Sequence, residues 1–212
     1  MLTDEAQRTV YYERGGGRPM QGTFRIRHGL DEEHVRLVGG MMEGEYRRYR
    51  DGVLREAGLY ADGRRTGIFT EYYQDGRTPR RVAPMRQGRI DGTVKTFFRN
   101  GSRETEKEYR QGVEHGVERR FDGKTGEQVY EARYADGRKE GEEWTINDDG
   151  RGARSMVTRH YRGGKADGSY RLVSTLNGRP YITVEGQYSG GRKSGHWRQH
   201  DAIRDTMREW DE

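Results

Sequence analysis

Aromatic and glycine positions recur along this chain in the pattern Y-x-x-G-x-x-x-G. Five copies are complete and begin at Tyr60, Tyr109, Tyr134, Tyr161 and Tyr188. Two copies begin with Leu37 and Met85 instead, and a distorted copy surrounds Tyr12. The second glycines fall at positions 22, 44, 67, 92, 116, 141, 168 and 195. A nearly constant spacing of this length is typical of repeat proteins.

The residues between these motifs predict β-hairpins. The second glycine opens a short segment with aromatics two and five residues later, as in Tyr46 and Tyr49. Asp-Gly and Asn-Gly pairs close these segments and favour type I′ turns, which need positive φ at both central residues. The expected turns are Asp51-Gly52, Asp75-Gly76, Asn100-Gly101, Asp122-Gly123, Asp149-Gly150 and Asn177-Gly178. A second strand then leads to the next Y-x-x-G-x-x-x-G, whose glycines permit a reversal of the chain.

The aromatic spacing leaves two arrangements open. Positions an odd number apart in a flat strand point to opposite faces of the sheet. Either a bulge brings both rings inward, or each face of the sheet receives one ring. We favour one ring stacking along the repeat axis as a core and the other lining an outer or groove surface.

Together these elements predict an all-β fold, an elongated antiparallel meander of repeated hairpins in a single sheet. Residues 12–200 would hold about eight repeats, each packing mainly on its neighbours. Residues 1–11 and 201–212 would cap the ends, since open edge strands recruit other chains. The last segment favours a short helix, because Ile203, Met207 and Trp210 are spaced at i, i+4 and i+7.

Composition agrees with a thin repeat fold. Only 30% of the 212 residues are hydrophobic and 35% are charged, a balance that taken alone would suggest disorder. The chain nevertheless has 14 Tyr, 5 Phe and 3 Trp at regular intervals. Regular aromatics of this kind are what a one-dimensional array would bury between neighbouring repeats.

The charges argue against a dedicated nucleic-acid protein. The net charge is +5, from 40 Lys and Arg against 35 Asp and Glu, and no long block carries one sign. The absence of cysteine excludes disulfides, zinc–cysteine sites and thiol catalysis. We expect a cytoplasmic protein, since no signal peptide or membrane-spanning stretch is recognisable. A protein exported by a specialised apparatus would look the same.

The repeats resemble MORN (membrane occupation and recognition nexus) repeats, and more closely their bacterial variant in the YwqK-like antitoxin family. The similarity covers about residues 12–200, and residues 67–76 (GIFTEYYQDG) and 108–116 (EYRQGVEHG) show it clearly. It implies an interaction scaffold, associated in bacteria with toxin–antitoxin or toxin–immunity modules. The chain lacks the repeated G-x-G that follows the second glycine of the eukaryotic pattern, which weakens the case for carrying over lipid binding.

No motif indicates catalysis, and we expect no enzyme, cofactor or metal site. His196 and His200 are spaced at i and i+4, but His196 lies in a predicted strand, residues 195–199, rather than on a helix. The acid pairs Glu32-Glu33, Glu142-Glu143 and Asp148-Asp149 fall where solvated or turn-forming acids are ordinary. The glycines at 15–17 lack the Lys-Ser/Thr and helix of a phosphate-binding loop.

Arginines flank the aromatics in almost every repeat, and both residue types are enriched in protein-interface hot spots. Alternatively, most arginine stems cover the apolar stripe of the sheet. The candidate partner-binding residues are Tyr46, Arg48, Tyr49, Tyr72, Tyr73, Phe97, Arg99, Arg120, Phe121, Trp144 and Trp197.

The leading functional hypothesis is a non-enzymatic protein-binding module that neutralises a bacterial toxin encoded nearby, as an immunity protein or antitoxin. One alternative is a scaffold for assembly of a larger complex, with self-association through edge strands. Another is binding to a membrane surface, suggested by the MORN resemblance and the net charge of +5.

Overall fold

The structure, a computed structural model, describes residues 2–3, 8–15, 17–148 and 150–212. Within these ranges the regular secondary structure is entirely β-strand, and most consecutive strands pair antiparallel. The chain divides into two compact units, which are described separately. The first unit comprises Met1–Thr105 and Tyr109–Gly112, and the second comprises Glu106–Glu108 and Val113–Glu212. The predicted all-β meander of hairpins is confirmed.

The first unit is built from short antiparallel strands. They are β1 (Leu2–Thr3), β2 (Thr9–Val10), β3 (Gly22–His28), β4 (Asp31–Val38), β5 (Met41–Arg50), β6 (Val53–Ala61), β7 (Arg64–Tyr72), β8 (Pro79–Arg86), β9 (Arg89–Ile90) and β10 (Gly92–Phe97). From β3 to β8 each strand pairs with the next, and β1 pairs with β2. Strand β8 also pairs with both β9 and β10.

The second unit repeats this arrangement. Strand β11 (Arg103–Arg110) contributes residues to both units. It is followed by β12 (Val113–Phe121), β13 (Gln128–Ala135), β14 (Arg138–Asp148), β15 (Ala153–Arg162), β16 (Lys165–Leu176), β17 (Arg179–Ser189), β18 (Arg192–Asp201) and β19 (Thr206–Asp211). From β12 to β19 each strand pairs with the next.

The first glycine of each motif lies in a two-residue turn. In the turn between β6 and β7, Asp62 and Gly63 have φ of 51° and 68°. Positive φ at both positions is the mark of a type I′ turn, whose twist matches that of the flanking strands. The equivalent turns are Gly39-Gly40, Gln87-Gly88, Gln111-Gly112, Asp136-Gly137, Gly163-Gly164 and Gly190-Gly191.

Hydrogen bonds fasten each of these turns to the repeat before it. The Gly63 amide donates to the Met42 carbonyl at 3.0 Å, and the Asp62 amide donates to the Glu43 carboxylate at 2.8 Å. Both acceptors come just before Gly44, the second glycine of the preceding motif. The same backbone bond is donated by Gly40, Gly88, Gly112, Gly137, Gly164 and Gly191. The fixed spacing of the two glycines therefore serves contact between neighbouring repeats.

The second glycine lies in a β-bulge. Val35 pairs with Tyr46 and Leu37 pairs with Met42, so the segment around Gly44 lies opposite a single residue of β4. The φ of 82° at Gly44 is one that residues with a Cβ rarely adopt. Register shifts at the corresponding place occur where β6 meets β7, β13 meets β14, β15 meets β16 and β17 meets β18.

Aromatic rings and aliphatic side chains form the core of the first unit. Tyr46 and Phe69 are buried beside Val35 and Leu37, and Tyr60 packs edge-on against both rings. Tyr46 and Tyr49 lie in a stretch of β5 that pairs regularly with β4, so their rings point to opposite faces. Tyr49 packs on His34, with ring centroids 4.7 Å apart. Of the two arrangements open from the sequence, one ring on each face is the one found here.

The second unit buries rings at one end and carboxylates at the other. Trp197 is only 1% exposed and packs against Tyr170, Tyr188 and Trp210. Glu118 and Glu143 hold the position two residues after the second glycine, where Trp197 stands in the last repeat. Both glutamates are buried. A buried carboxylate needs partners to offset its desolvation, and the surrounding lysines, arginines and tyrosines supply them.

The predicted C-terminal helix is not formed. Asp201 ends β18, and residues 206–211 return antiparallel as β19, with Trp210 opposite Trp197. The Asp201 carboxylate accepts the Ile203 and Arg204 amides, which stabilises the turn between the strands. Ile203 and Met207 remain 70% and 58% exposed. The i, i+4, i+7 spacing therefore did not indicate a buried helical face. The segment forms a strand instead, in which Trp210 pairs with Trp197.

The expected Asp-Gly and Asn-Gly turns differ in type. Asp51-Gly52 and Asn177-Gly178 have positive φ at both residues, as in type I′ turns. Asp75 and Asp122 instead lie in longer loops, where their carboxylates accept backbone amides. Asp149, like Gly16 and residues 1 and 4–7 of the predicted N-terminal cap, lies outside the described residues. None of the described residues belongs to a helix with the length and apolar character needed to span a bilayer.

Candidate functional site

A groove in the first unit collects arginine and tyrosine side chains at the end of the sheet opposite the Y-x-x-G turns. It encloses about 470 Å³. Neighbouring strands supply its walls, because Arg50 ends β5, Arg55 lies near the start of β6 and Arg80 near the start of β8. The lining residues are Arg48, Arg50, Arg55, Glu71, Tyr72, Tyr73, Gln74, Arg80 and Arg99. Five arginines against one glutamate give this arginine–tyrosine groove a strong positive charge.

The tyrosine wall of the groove is held in place by neighbouring groups. The Tyr73 hydroxyl donates to the Phe97 carbonyl at 2.6 Å, which ties the loop after β7 to the end of β10. The Arg99 guanidinium lies 5.5 Å from the centroid of the Tyr73 ring, within cation–π range. The ring and the guanidinium therefore form a wall that combines an apolar surface with positive charge.

Carboxylates neutralise two of the groove arginines. Glu71 pairs with Arg80 and, at 3.0 Å, with Arg81 outside the groove. Burial raises the pKa of the Glu71 carboxyl, but hydrogen bonds from Arg80 and Arg81 outweigh it and hold that pKa below its ordinary value. Glu71 is therefore charged at neutral pH.

On the core side of the groove, Arg48 lies 3.4 Å from Glu56 and 3.6 Å from Asp31. Glu56 is buried and also pairs with Arg65 at 2.9 Å. Arg48 is thus held by a network that reaches the core, and it is only partly available to a ligand.

Three arginines of the groove keep their charge unneutralised. In the part of the chain that the structure describes, Arg50, Arg55 and Arg99 have no carboxylate within salt-bridge distance. Like charges brought together in this way repel one another, and an anionic ligand would relieve the repulsion. The groove is therefore suited to binding an anion.

The groove brings together four of the eleven candidate partner-binding residues, Arg48, Tyr72, Tyr73 and Arg99. Phe97 contributes the carbonyl that anchors Tyr73. Tyr49 lies beside His34 and lines a separate cavity. Tyr46 and Trp197 are buried in the cores of their units. Their side chains are therefore assigned to packing and offer a partner no surface to contact.

The remaining candidates lie in the second unit. Arg120 donates to Glu118 at 2.8 Å, and its guanidinium lies 4.3 Å from the centroid of the Tyr130 ring. It belongs to the network around the buried glutamates. Phe121 and Trp144 are half-buried in β12 and β14.

Sequence reasoning missed several residues that line the groove: Arg50, Arg55, Glu71, Gln74 and Arg80. Part of the signal was present, since Arg50 follows Tyr49 directly and Arg80 belongs to a segment, residues 77–86, that has four arginines and no acidic residue. The sequence did not show the strand pairing that places β6, and with it Arg55, between β5 and β7.

The histidines make individual contacts with acids. His196 lies 3.1 Å from Asp211 and 3.8 Å from Glu209, and His34 lies 2.6 Å from Glu32. Among the described residues, no group of three or more histidines and acids is arranged to hold a metal ion.

Comparison with known proteins gives no identification. No protein-family model matches the chain, and no curated protein shows significant similarity to it.

Proposed function

We propose that this chain is a non-enzymatic, MORN-type repeat module that binds a protein partner through the arginine–tyrosine groove of its first unit. The observation that carries the proposal is the clustering of Arg50, Arg55 and Arg99 beside Tyr72 and Tyr73, with no carboxylate partner in the part of the chain that the structure describes. Arginine and tyrosine, together with tryptophan, are enriched among the residues that dominate the binding energy of protein interfaces.

Different residues of each repeat form the fold and line the groove, and this separation supports the proposal. The glycines of Y-x-x-G-x-x-x-G make the turns and bulges, and the rings at Tyr46, Tyr60 and Phe69 fill the core. The groove is formed instead by residues that differ between repeats, such as Arg55, Gln74 and Arg99. A repeat protein built in this way can change its partner without changing its fold.

The resemblance to the YwqK-like antitoxin family supports a more specific proposal for the partner, a bacterial toxin encoded nearby. Binding would cover the surface through which the toxin acts. The charged groove would favour rapid association with a surface of opposite charge.

Co-expression with the products of the adjacent genes tests the proposal. The expected result is one co-purifying protein in a stoichiometric complex, with its mass measured by light scattering. If that partner is a toxin, co-expression should also restore growth of the host. Failure of every neighbouring product to co-purify would overturn the proposal. A mass of the isolated chain well above 24.7 kDa would favour the assembly scaffold instead.

A further inference from the structure

We infer that the occupant of the arginine–tyrosine groove is an extended, carboxylate-rich peptide segment of the partner. This inference rests on the proposed function, because it assigns a chemistry to the same protein–protein contact. Three features of the groove support it: the spread of its charges, the anions that its arginines already bind, and the covered face of Tyr73.

The charges are spread along a line rather than gathered at one point. Arg50, Arg55, Arg80 and Arg99 belong to or follow β5, β6, β8 and β10, and β7 lies between β6 and β8. Neighbouring strands lie about 4.8 Å apart, so the steps from β5 to β10 cover roughly 19 Å. An extended peptide advances about 3.3 Å per residue. A segment of about six residues would therefore reach all four arginines, and a single phosphate ion would not.

The arginines of the groove that have partners bind carboxylates. Arg80 pairs with Glu71, and Arg48 pairs with Glu56 and Asp31. The planar guanidinium matches a carboxylate with two parallel hydrogen bonds, a geometry that adds specificity as well as energy. Among the described residues of the first unit, Arg50, Arg55 and Arg99 present the same group without a carboxylate partner. Glutamate or aspartate side chains of a partner would complete the pattern.

Single-stranded nucleic acid fits the groove less well. Such ligands are held mainly by bases stacking on free aromatic faces. The Tyr73 hydroxyl is fixed by the Phe97 carbonyl, and the Arg99 guanidinium lies over one face of its ring. That face is therefore not open to a base. The tyrosine rings instead offer apolar contact to the side-chain stems of a peptide.

A titration of fluorescein-labelled hexaglutamate with the whole chain at low ionic strength, followed by fluorescence anisotropy, tests this inference. The expected result is saturable binding that weakens as sodium chloride is added, since the contacts are electrostatic. The double variant Arg50→Ala/Arg55→Ala should bind roughly tenfold more weakly or worse. The matched control, Arg64→Ala/Arg89→Ala, removes two charges beside the Y-x-x-G turns of the same unit and should change affinity less than about twofold.

Equal losses in the two double variants, or equally tight binding of labelled oligothymidylate, would overturn the inference. If Arg50→Ala/Arg55→Ala does not fold, Arg99→Ala decides, because Arg99 lies outside the strands. The co-purified partner separates the two proposals. A partner that loses affinity for Arg50→Ala/Arg55→Ala but is not displaced by hexaglutamate would leave the proposed function standing and overturn the acidic peptide. A partner that binds this variant as tightly as the wild-type chain would overturn the groove as the binding site.

Discussion

The Phe69 ring lies directly over Gly58, so that a Cβ added at Gly58 would come within 2.6 Å of the ring carbons. Tyr46 is the cross-strand partner of Gly58 on the neighbouring strand. In the second unit Trp197 lies in the same way over Gly186, the cross-strand partner of Tyr170. Because glycine has no side chain, the aromatic rings of the neighbouring strands can pack directly against its backbone. This close approach makes a compact core from a small number of apolar residues.

Substitution of Gly58 by alanine should therefore destabilise the first unit. The added methyl group would have to displace a ring that is only 2% exposed, and overpacking of this kind costs about 1–3 kcal/mol. Urea unfolding followed by tyrosine fluorescence would measure the loss, because all three tryptophans of the chain lie in the second unit. Gly58 has no positive φ, so the effect would report crowding rather than backbone strain.

A double-mutant cycle gives the control. Phe69→Leu alone should destabilise by loss of packing, but it makes room for the methyl group of Gly58→Ala. The double variant should then be more stable than the sum of the single effects predicts, since the residues are in direct contact. Strict additivity would show that Gly58 is required for another reason.

The two candidate tryptophans should respond differently to truncation. Trp197→Ala removes a core side chain that contacts Tyr170, Tyr188 and Trp210, and should cost about 3–5 kcal/mol. Trp144 is only half-buried, so Trp144→Ala should cost clearly less. Thermal unfolding of both variants by circular dichroism would measure the difference. Similar losses would contradict the assignment of Trp197 to packing.

Turn chemistry explains how far the sequence predicts this fold. The turn at Gly63 and the bulge at Gly44 require positive φ, a backbone conformation that residues other than glycine rarely adopt. Their chemistry is local, so the hairpins and the period could be predicted from residues close together in the chain. The spacing of Tyr46 and Tyr49 left two arrangements open, and the structure places one ring on each face of the sheet.

Contacts between distant residues were not predictable in the same way. The groove depends on pairing that brings residues 48–55 beside residues 71–80 and Arg99. The buried positions of Glu118 and Glu143 could not be read from their chemistry, because a charged residue predicts exposure. At the C-terminus, local helical spacing competed with the pairing of Trp210 and Trp197, and the tertiary contact prevailed.

The buried glutamates should make the second unit sensitive to acid. Burial raises the pKa of Glu118, but hydrogen bonds from Lys107 and Arg120 outweigh it, so its pKa lies below the usual 4.5. Glu143 behaves similarly, with Lys139 as the main hydrogen-bond donor. A lowered native pKa means that the unfolded state binds more protons. The stability that these ionised carboxylates contribute is therefore fully present above the ordinary glutamate pKa of 4.5. It is lost as the pH falls through the lower pKa of the native state. Urea midpoints across this range would measure the loss.

Variants at Glu118 and Glu114 separate the buried carboxylate from a partly exposed one, since both pair with Lys107. Glu118→Gln leaves Lys107 and Arg120 without their buried partner and should cost about 1–3 kcal/mol at neutral pH. It should also reduce the loss of stability in acid. Glu114 is more exposed, so Glu114→Gln should cost about 0–1 kcal/mol. Equal effects of the two variants would contradict the role given to burial.

Substitution of Gln111 by asparagine should stabilise the chain. Gln111 has a φ of 52° in its two-residue turn, a left-handed conformation that asparagine adopts more readily than glutamine. The backbone bond from Gly112 to the Ile90 carbonyl does not depend on the side chain of Gln111 and should persist. Gln111→Asn should therefore raise the free energy of unfolding by roughly 0.3–1 kcal/mol. Gln187→Asn is the matched control, because Gln187 lies in the extended strand β17, where asparagine is disfavoured. A gain at both positions, or at neither, would show that turn conformation does not limit the stability of these repeats.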